Sequence, residues 1–270
     1  MNLNQKITEE MKEYHVSAQE RFSQNFLVDE KARNVIVSSV PFTKSQEVVE
    51  IGPGLGSLTF ALVEKAKHVT AIDFDRDMVN VLSHEIRNDN FSLIQGNFLK
   101  CDLNMFHMKQ TSYIGNLPYS ITRDIIHKVL VDNDFIYFGF MVQSEVAAKL
   151  LVHSHSPLMN LYSMYLNIRG KTEPLLTLKP GSFYPSPKVD SEFLVFTPED
   201  KGKYASEEVF EFLKVFFHDG KKNLNNNLKK TPYYEKTKSV MEKLGLPLTK
   251  RPHEIETSQM RKIIDGVILS

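Results

Sequence analysis

A chain of 270 residues and 31.1 kDa makes one large domain or a core domain with a smaller appendage, and 41% hydrophobic with 24% charged residues lets it bury a sizeable core. No apolar run approaches the roughly 18–20 residues that cross a bilayer, and Glu9, Glu10, Glu13 and Glu20 near the start suit neither a secretory signal nor a transit peptide. Basic and acidic residues number 33 each, so net charge favours no nucleic-acid partner, while the single cysteine, Cys101, excludes a disulfide framework and a cysteine-cluster metal site; a cytoplasmic protein without a metal is expected.

In chain order, the first clear element is the β-branched run QEVVEI at 46–51, a predicted strand ending at Gly52-Pro53-Gly54-Leu55-Gly56. A helix over 57–67 follows, with Leu58, Ala61 and Leu62 at helical spacing and Ser57 as its cap. HVTAID at 68–73 reads as a second strand, 76–87 as a second helix, 91–95 as a third strand and 113–115 as a fourth, before a helix from near Ile121. Strand–helix alternation with glycine at the first turn argues for a doubly wound parallel α/β sheet. The apolar run IYFGFMV at 136–142 suits a central strand, and 162–168 and 192–196 read as late strands able to pair antiparallel. Beyond residue 200 the pattern turns helical, with Val209, Phe212, Leu213 and Phe216 on one face. The expected division is an α/β domain over 1–200 and a small helical domain over 201–270.

Charge is uneven along the chain. Residues 214–251 hold ten basic and three acidic residues, a local balance of +7 that leaves −7 for the rest. Such a segment suits contact with a phosphate backbone, and equally a solvated lysine-rich surface. Its candidate RNA contacts are Lys221, Lys222, Lys229 and Lys230.

Three motifs carry chemistry. Glycines directly after a buried strand, here Gly52 and Gly54, let the backbone approach a ligand closely. The spacing is G-x-G-x-G, not the G-x-G-x-x-G that seats a pyrophosphate. Asp73 ends the next strand, where a carboxylate accepts from ribose hydroxyls. Together they point to a nucleoside-containing cofactor without a pyrophosphate, which S-adenosylmethionine fits. The second motif, Asn116-Leu117-Pro118-Tyr119, follows the fourth strand and suits methylation of an exocyclic adenine amine. An Asn oxygen and a neighbouring main-chain carbonyl accept the amine's two N–H bonds and aim its lone pair at the methyl group, while the Tyr119 ring offers a stacking face. The third is the two-proline loop 183–191 (FYPSPKVDS), whose stiffness can present Phe183 as a second face around the target base.

With RFSQNFL at 21–27, EIGPGLG at 50–56, Asn116–Tyr119 and 183–191 in this order, the chain resembles the rRNA adenine N6-dimethyltransferases from about Arg21 to its end. MVQSEV at 141–146 and the basic stretch 221–228 add to the likeness. The resemblance implies a seven-stranded, mostly parallel, Rossmann-like methyltransferase sheet with a small C-terminal helical domain. It implies S-adenosylmethionine held by Asn25 and Leu27 at the methionine end, by Gly52 and Gly54, by Asp73 at the ribose, by Asn97 at the adenine and by Asn116. It also implies that Asn116, Leu117, Pro118 and Tyr119 face the target amine, with Phe183 opposite. Three positions depart from the usual pattern: Asp73 replaces Glu, Asn97 replaces Asp, and Ser23 replaces Gly. An uncharged Asn97 accepts more weakly than a carboxylate.

Within the family, the KsgA type dimethylates two adjacent adenines near the 3′ end of small-subunit rRNA, which implies that rRNA or a pre-30S particle as partner, a role in subunit biogenesis and a monomeric enzyme. Pro53, Leu55, Leu117 and the KVDS sequence at 188–191 lean to this type. Ser23 leans to the rival Erm type, which methylates 23S rRNA and confers macrolide resistance. A non-catalytic RNA-binding or assembly factor is a third reading, opposed by the intact Asn116–Tyr119. DNA adenine methylation is disfavoured by the helical C-terminal module.

Overall fold

The computed structural model describes residues 3–14, 25–45, 47–106, 110–118, 120–131 and 135–270. Helix α1 (Leu3–Glu13) precedes the short strand β1 (Phe26–Leu27) and α2 (Glu30–Ser38), which is capped by Asp29 accepting from the Ala32 N–H at 3.0 Å. The expected alternation follows as β2 (Glu47–Ile51), α3 (Thr59–Val63), β3 (Val69–Asp73), α4 (Arg76–Glu85), β4 (Phe91–Gln95), β5 (Thr111–Asn116), α5 (Thr122–Val131) and β6 (Phe135–Gln143). Next come α6 (Ser144–Leu150), α7 (Leu161–Arg169), β7 (Gly170–Leu178), β8 (Phe183–Tyr184) and β9 (Ser191–Pro198). Helices α8 (Glu207–Phe216), α9 (Leu224–Leu228), α10 (Tyr234–Lys243) and α11 (Thr257–Val267) complete the chain. Among the described residues, no helix is long and apolar enough to cross a membrane.

The main sheet runs β4-β3-β2-β5-β6-β9-β7, with β2 to β6 parallel and β9 antiparallel to β6. This is the seven-stranded, mostly parallel, doubly wound architecture expected. Its central strands read as continuous apolar runs because parallel strands are covered on both faces: Val48, Val49 and Ile51 of β2 and Val69, Ala71 and Ile72 of β3 are all buried. The edge position of β7 tolerates Pro174, which has no N–H to give a neighbour. The chain builds β2, β3 and β4 outward and then returns to β5 on the other side of β2. That reversal opens a crevice at the carboxyl ends of β2 and β5, where ligands bind in such sheets.

Two expectations need correcting. The stretch 162–168 is not a strand but lies in helix α7. Six of that helix's residues, Ser163, Met164, Tyr165, Leu166, Ile168 and Arg169, are buried, and a helix buried nearly all round loses the periodicity that distinguishes it from a core strand. Its start is set by a capping box, in which Asn160 accepts from the Ser163 N–H at 3.2 Å and the Ser163 hydroxyl accepts from the Asn160 N–H at 2.9 Å. Ser57 does not cap α3. Its hydroxyl donates to the Leu27 carbonyl at 2.7 Å, and the helix begins only at Thr59.

The chain forms two compact units. The first is Met1–Val129 with Asp134–Ala147 and Glu173–Thr197; the second is Leu130–Asn133 with Ala148–Thr172 and Pro198–Ser270. Residues 148–172 thus group with the C-terminal helices, although a sequence boundary near 200 leaves them in the first domain. The reason is packing: Tyr162 and Tyr165 of α7 set their rings 5.8 and 5.6 Å from Phe210 of α8, and the buried Arg169 guanidinium meets Asp200 at 3.2 Å.

Candidate active site

The carboxyl ends of β2, β3 and β5 meet in a cavity of about 270 Å³, close to the lower bound of ~300 Å³ for small-molecule sites. Gly52 leaves β2 at φ +68°, and a Cβ on it would meet no atom within 4 Å, so glycine keeps that part of the cavity open. Gly54, at φ +56°, donates its N–H to Asp73 Oδ2 at 3.1 Å, which ties the glycine turn to the strand-end acid. Asp73 Oδ1 accepts from the Asp75 N–H at 2.8 Å, and Asp75 in turn caps α4 through the Asp77 N–H at 2.9 Å. Burial pushes the Asp73 carboxyl up to about 6, against the lowering effect of the Asp75 and Gly54 N–H groups.

Asn116 closes β5 at the same rim. Its Nδ2 donates to the Asn25 carbonyl at 2.8 Å, which fixes the amide and leaves Oδ1 as the atom to offer a ligand. The Pro118 carbonyl already accepts from the Ile121 N–H at 3.2 Å and the Thr122 hydroxyl at 2.9 Å. Asn97 follows β4 and starts a 3₁₀ turn, its Oδ1 accepting from the Leu99 N–H at 3.0 Å. Behind the cavity wall, Leu3 and Ile7 of α1 cluster with Phe26, Leu55, Met78 and Val81, holding Phe26 and the glycine turn from outside.

The structure brings Asn25, Leu27, Gly52, Gly54, Asp73, Asn97, Asn116 and Pro118 to this one cavity. Leu117 is buried and is not among the lining residues. Tyr119, like Ser23, lies outside the described residues. Phe183 also stays off the cavity lining: β8 pairs antiparallel with β1, Phe183 opposite Leu27, and the Phe183 ring is 2% exposed within the core cluster. The exposed ring of that loop is Tyr184.

Among the lining residues that sequence reasoning passes over are Glu50 and Phe74. Glu50 is 1% exposed, and its Oε2 has no hydrogen-bond partner. Its signal was an acid inside the apolar run VVEI, directly before the glycine turn. Phe74 follows the strand-end Asp73 and is 64% exposed, a large ring left at the rim of a ligand cavity.

In the second unit, Lys221, Lys222, Lys229 and Lys230 are all exposed and flank α9. Asn227 Nδ2 donates to the carbonyls of Phe216 and Asp219 at 3.0 and 3.1 Å, which pins the turn bearing Lys221 and Lys222. Lys222 pairs with Asp219 at 3.3 Å, a surface contact worth little by itself.

A seven-stranded sheet of this order, with an open glycine turn, a buried acid ending the next strand and an acceptor-presenting Asn ending the fourth, defines an S-adenosylmethionine-dependent methyltransferase. The profile described as "Ribosomal RNA adenine dimethylase" matches residues 15–265, and the chain belongs to that family. It is accordingly an S-adenosylmethionine-dependent rRNA adenine dimethylase. It is similar to proteins named "Ribosomal RNA small subunit methyltransferase A" from Mycoplasma mobile (34% identical, covering 86% of this chain and 91% of that one) and Mycoplasmopsis pulmonis (38%; 78% and 84%). The Campylobacter hominis protein of the same name is 34% identical, with coverage of 93% and 96%. A dimethyladenosine transferase from Plasmodium falciparum shares the fold at TM-score 0.72 and 22% identity, covering 88% of this chain and 96% of that one. The 23S rRNA methyltransferase ErmE shares it at 0.62 and 20%, covering 90% and 99%.

Proposed function

We propose that the protein dimethylates the N6 amines of adenines, two adjacent ones, near the 3′ end of small-subunit rRNA, acting in the cytoplasm as a monomer on a pre-30S particle. The observation that carries the chemistry is the Asn116 amide, anchored through Nδ2 and presenting Oδ1 at the cavity rim. The target follows the names of the small-subunit methyltransferases to which the chain is similar. Pro53, Leu55 and Leu117 support the same choice over the Erm type.

The cavity fits the cofactor: Gly52 leaves room where a side chain would intrude, and the buried Glu50 has an unsatisfied oxygen for a polar ligand. S-adenosylmethionine supplies an electrophilic methyl group on a sulfonium. Asn25 and Leu27 would hold its methionine end, Gly52 and Gly54 would shape the turn beside it, and Asp73 would accept from the ribose hydroxyls. Asn97 accepts from the adenine amine through Oδ1, which also takes the Leu99 N–H. Asn116 Oδ1 and a neighbouring main-chain carbonyl accept the two N–H bonds of the target amine; the Pro118 carbonyl already takes the Ile121 N–H and the Thr122 hydroxyl. These bonds favour a pyramidal nitrogen whose lone pair points along the transfer direction. The amine becomes acidic only after it has gained the methyl group, so no side-chain base is needed. Tyr119 stacks on the base.

Labelled-methyl transfer to immature 30S particles, 50S particles and bare RNA tests the target. Label in two adjacent adenines of the 30S substrate is expected. Label confined to 50S would overturn the reading in favour of the Erm type, and donor binding without transfer to any substrate would make the chain an assembly factor.

Replacing Asp73 with Ala should weaken S-adenosylmethionine binding by roughly 1–3 kcal/mol, since the ribose hydroxyls lose their acceptor in a buried site. Calorimetry giving the wild-type affinity would remove Asp73 from the ribose. The basic segment is tested by K221E/K222E. Particle affinity should fall, and the log–log salt dependence should become shallower by about one for each phosphate no longer neutralised, with cofactor affinity unchanged. Parallel salt lines with equal intercepts would return these lysines to an ordinary solvated surface.

A further inference from the structure

The cavity is lined by three carboxyl groups, Glu50, Asp73 and Asp75, and by no Lys, Arg or His among the described residues. Two of the three have structural duties: Asp73 holds the Gly54 and Asp75 N–H groups, and Asp75 caps α4. Glu50 has no comparable duty, for it is buried with Oε2 unpaired. It sits in the middle strand of the reversal, in register with Ala71 of β3 and Ile114 of β5. The groups that act on it are Asp73 from β3 and Thr59 from α3. Burial, with a smaller push from the negative charge of Asp73, raises Glu50 to about 8 against the lowering effect of the Thr59 hydroxyl, so it holds a proton at neutral pH.

A neutral acid buried beside a cavity is a cost to the fold until a cation arrives, and an unpaired cation in the same place would be costlier still. We propose that Glu50 receives the positive charge of the methyl donor and surrenders its proton as that cation enters, so that cofactor capture is coupled to proton release. The O–H bond of the Glu50 carboxyl breaks, the proton passes to the solvent buffer, and the remaining carboxylate balances the bound cation. The net charge of the site is the same before and after. The donor offers two positive groups, a sulfonium and an α-ammonium, and the coupling answers to either. The inference rests on the cavity being the S-adenosylmethionine site.

Titration calorimetry of the whole protein in buffers of different ionisation enthalpy counts the protons released. At pH 6.5 the donor's own α-amino group, ordinarily at about 7.7–8.0, stays protonated, and Glu50 at about 8 still carries its proton. Release approaching about one proton per donor bound is expected, with affinity tightening severalfold and at most about tenfold per pH unit between 6 and 8. Glu50→Gln keeps the shape without the ionisation. It should bind at least about tenfold more weakly, with affinity nearly flat in pH and only the small release that Asp73 supplies. S-adenosylhomocysteine keeps the ammonium and lacks the sulfonium: retained release assigns Glu50 to the ammonium, and abolished release assigns it to the sulfonium. The neutral 5′-methylthioadenosine should bind with only the small release that Asp73 supplies. Donor binding by the wild type with no proton released, equal release with 5′-methylthioadenosine, or release undiminished in Glu50→Gln would each overturn the proposal. A wild-type protein that binds no donor would overturn the cavity assignment with it.

Discussion

Asn116→Ala is expected to lower single-turnover methyl transfer by about 100- to 1,000-fold, the cost of removing one acceptor or donor that works in the transition state. Donor affinity should stay within about threefold, because the contact strengthens as the amine pyramidalises and contributes little to holding the cofactor. The structure sharpens the test through the second half of the amide. Asn116 Nδ2 donates to the Asn25 carbonyl at 2.8 Å, so the side chain has to offer a donor to the protein and an acceptor to the substrate at once. Asn116→Asp restores the acceptor but not the donor, and places a carboxylate against a carbonyl oxygen. It should therefore recover little of the missing rate. Full transfer in the Ala variant would locate the chemistry elsewhere, and full transfer in the Asp variant would mean that the Asn25 contact does not orient the group.

The parts of the site legible in the sequence are those fixed by backbone geometry. A glycine turn after a β-branched run, an acid at the next strand end and Asn116 at the fourth strand end all depend on the order of strands. The doubly wound sheet brings that order to one rim without further information. Glu50 was harder to see, because an acid within VVEI reads as strand sequence until the structure shows it buried and facing a ligand space. Helix α7 escaped because near-complete burial erases helical periodicity, and its only local mark is the capping pair Asn160 and Ser163. The grouping of residues 148–172 with the C-terminal helices was invisible for a different reason. It depends on contacts such as Tyr165 with Phe210, 45 positions apart in the chain, which no local pattern encodes.

Phe183→Ala should lower the free energy of unfolding by about 3–5 kcal/mol, the usual cost of emptying a buried aromatic site. The ring is 2% exposed, sits on β8 opposite Leu27, and belongs to the cluster that includes Leu58, Leu62 and Ile114. Leu27 lines the cofactor cavity, so a hole behind it would also loosen that wall. Loss of transfer in the Ala variant would then report unfolding rather than missing base stacking, and the two have to be separated. Phe183→Leu does so, since a leucine fills most of the volume without offering a π-face. Denaturant unfolding should place the Leu variant much nearer the wild type than the Ala variant. Transfer retained by a stable Leu variant assigns Phe183 to the core alone. A stable Leu variant whose transfer falls by the equivalent of ~1–3 kcal/mol keeps the ring as a stacking face for the target base. An Ala variant that unfolds at the wild-type midpoint would mean that the pairing of β1 with β8 holds the cavity wall without this ring.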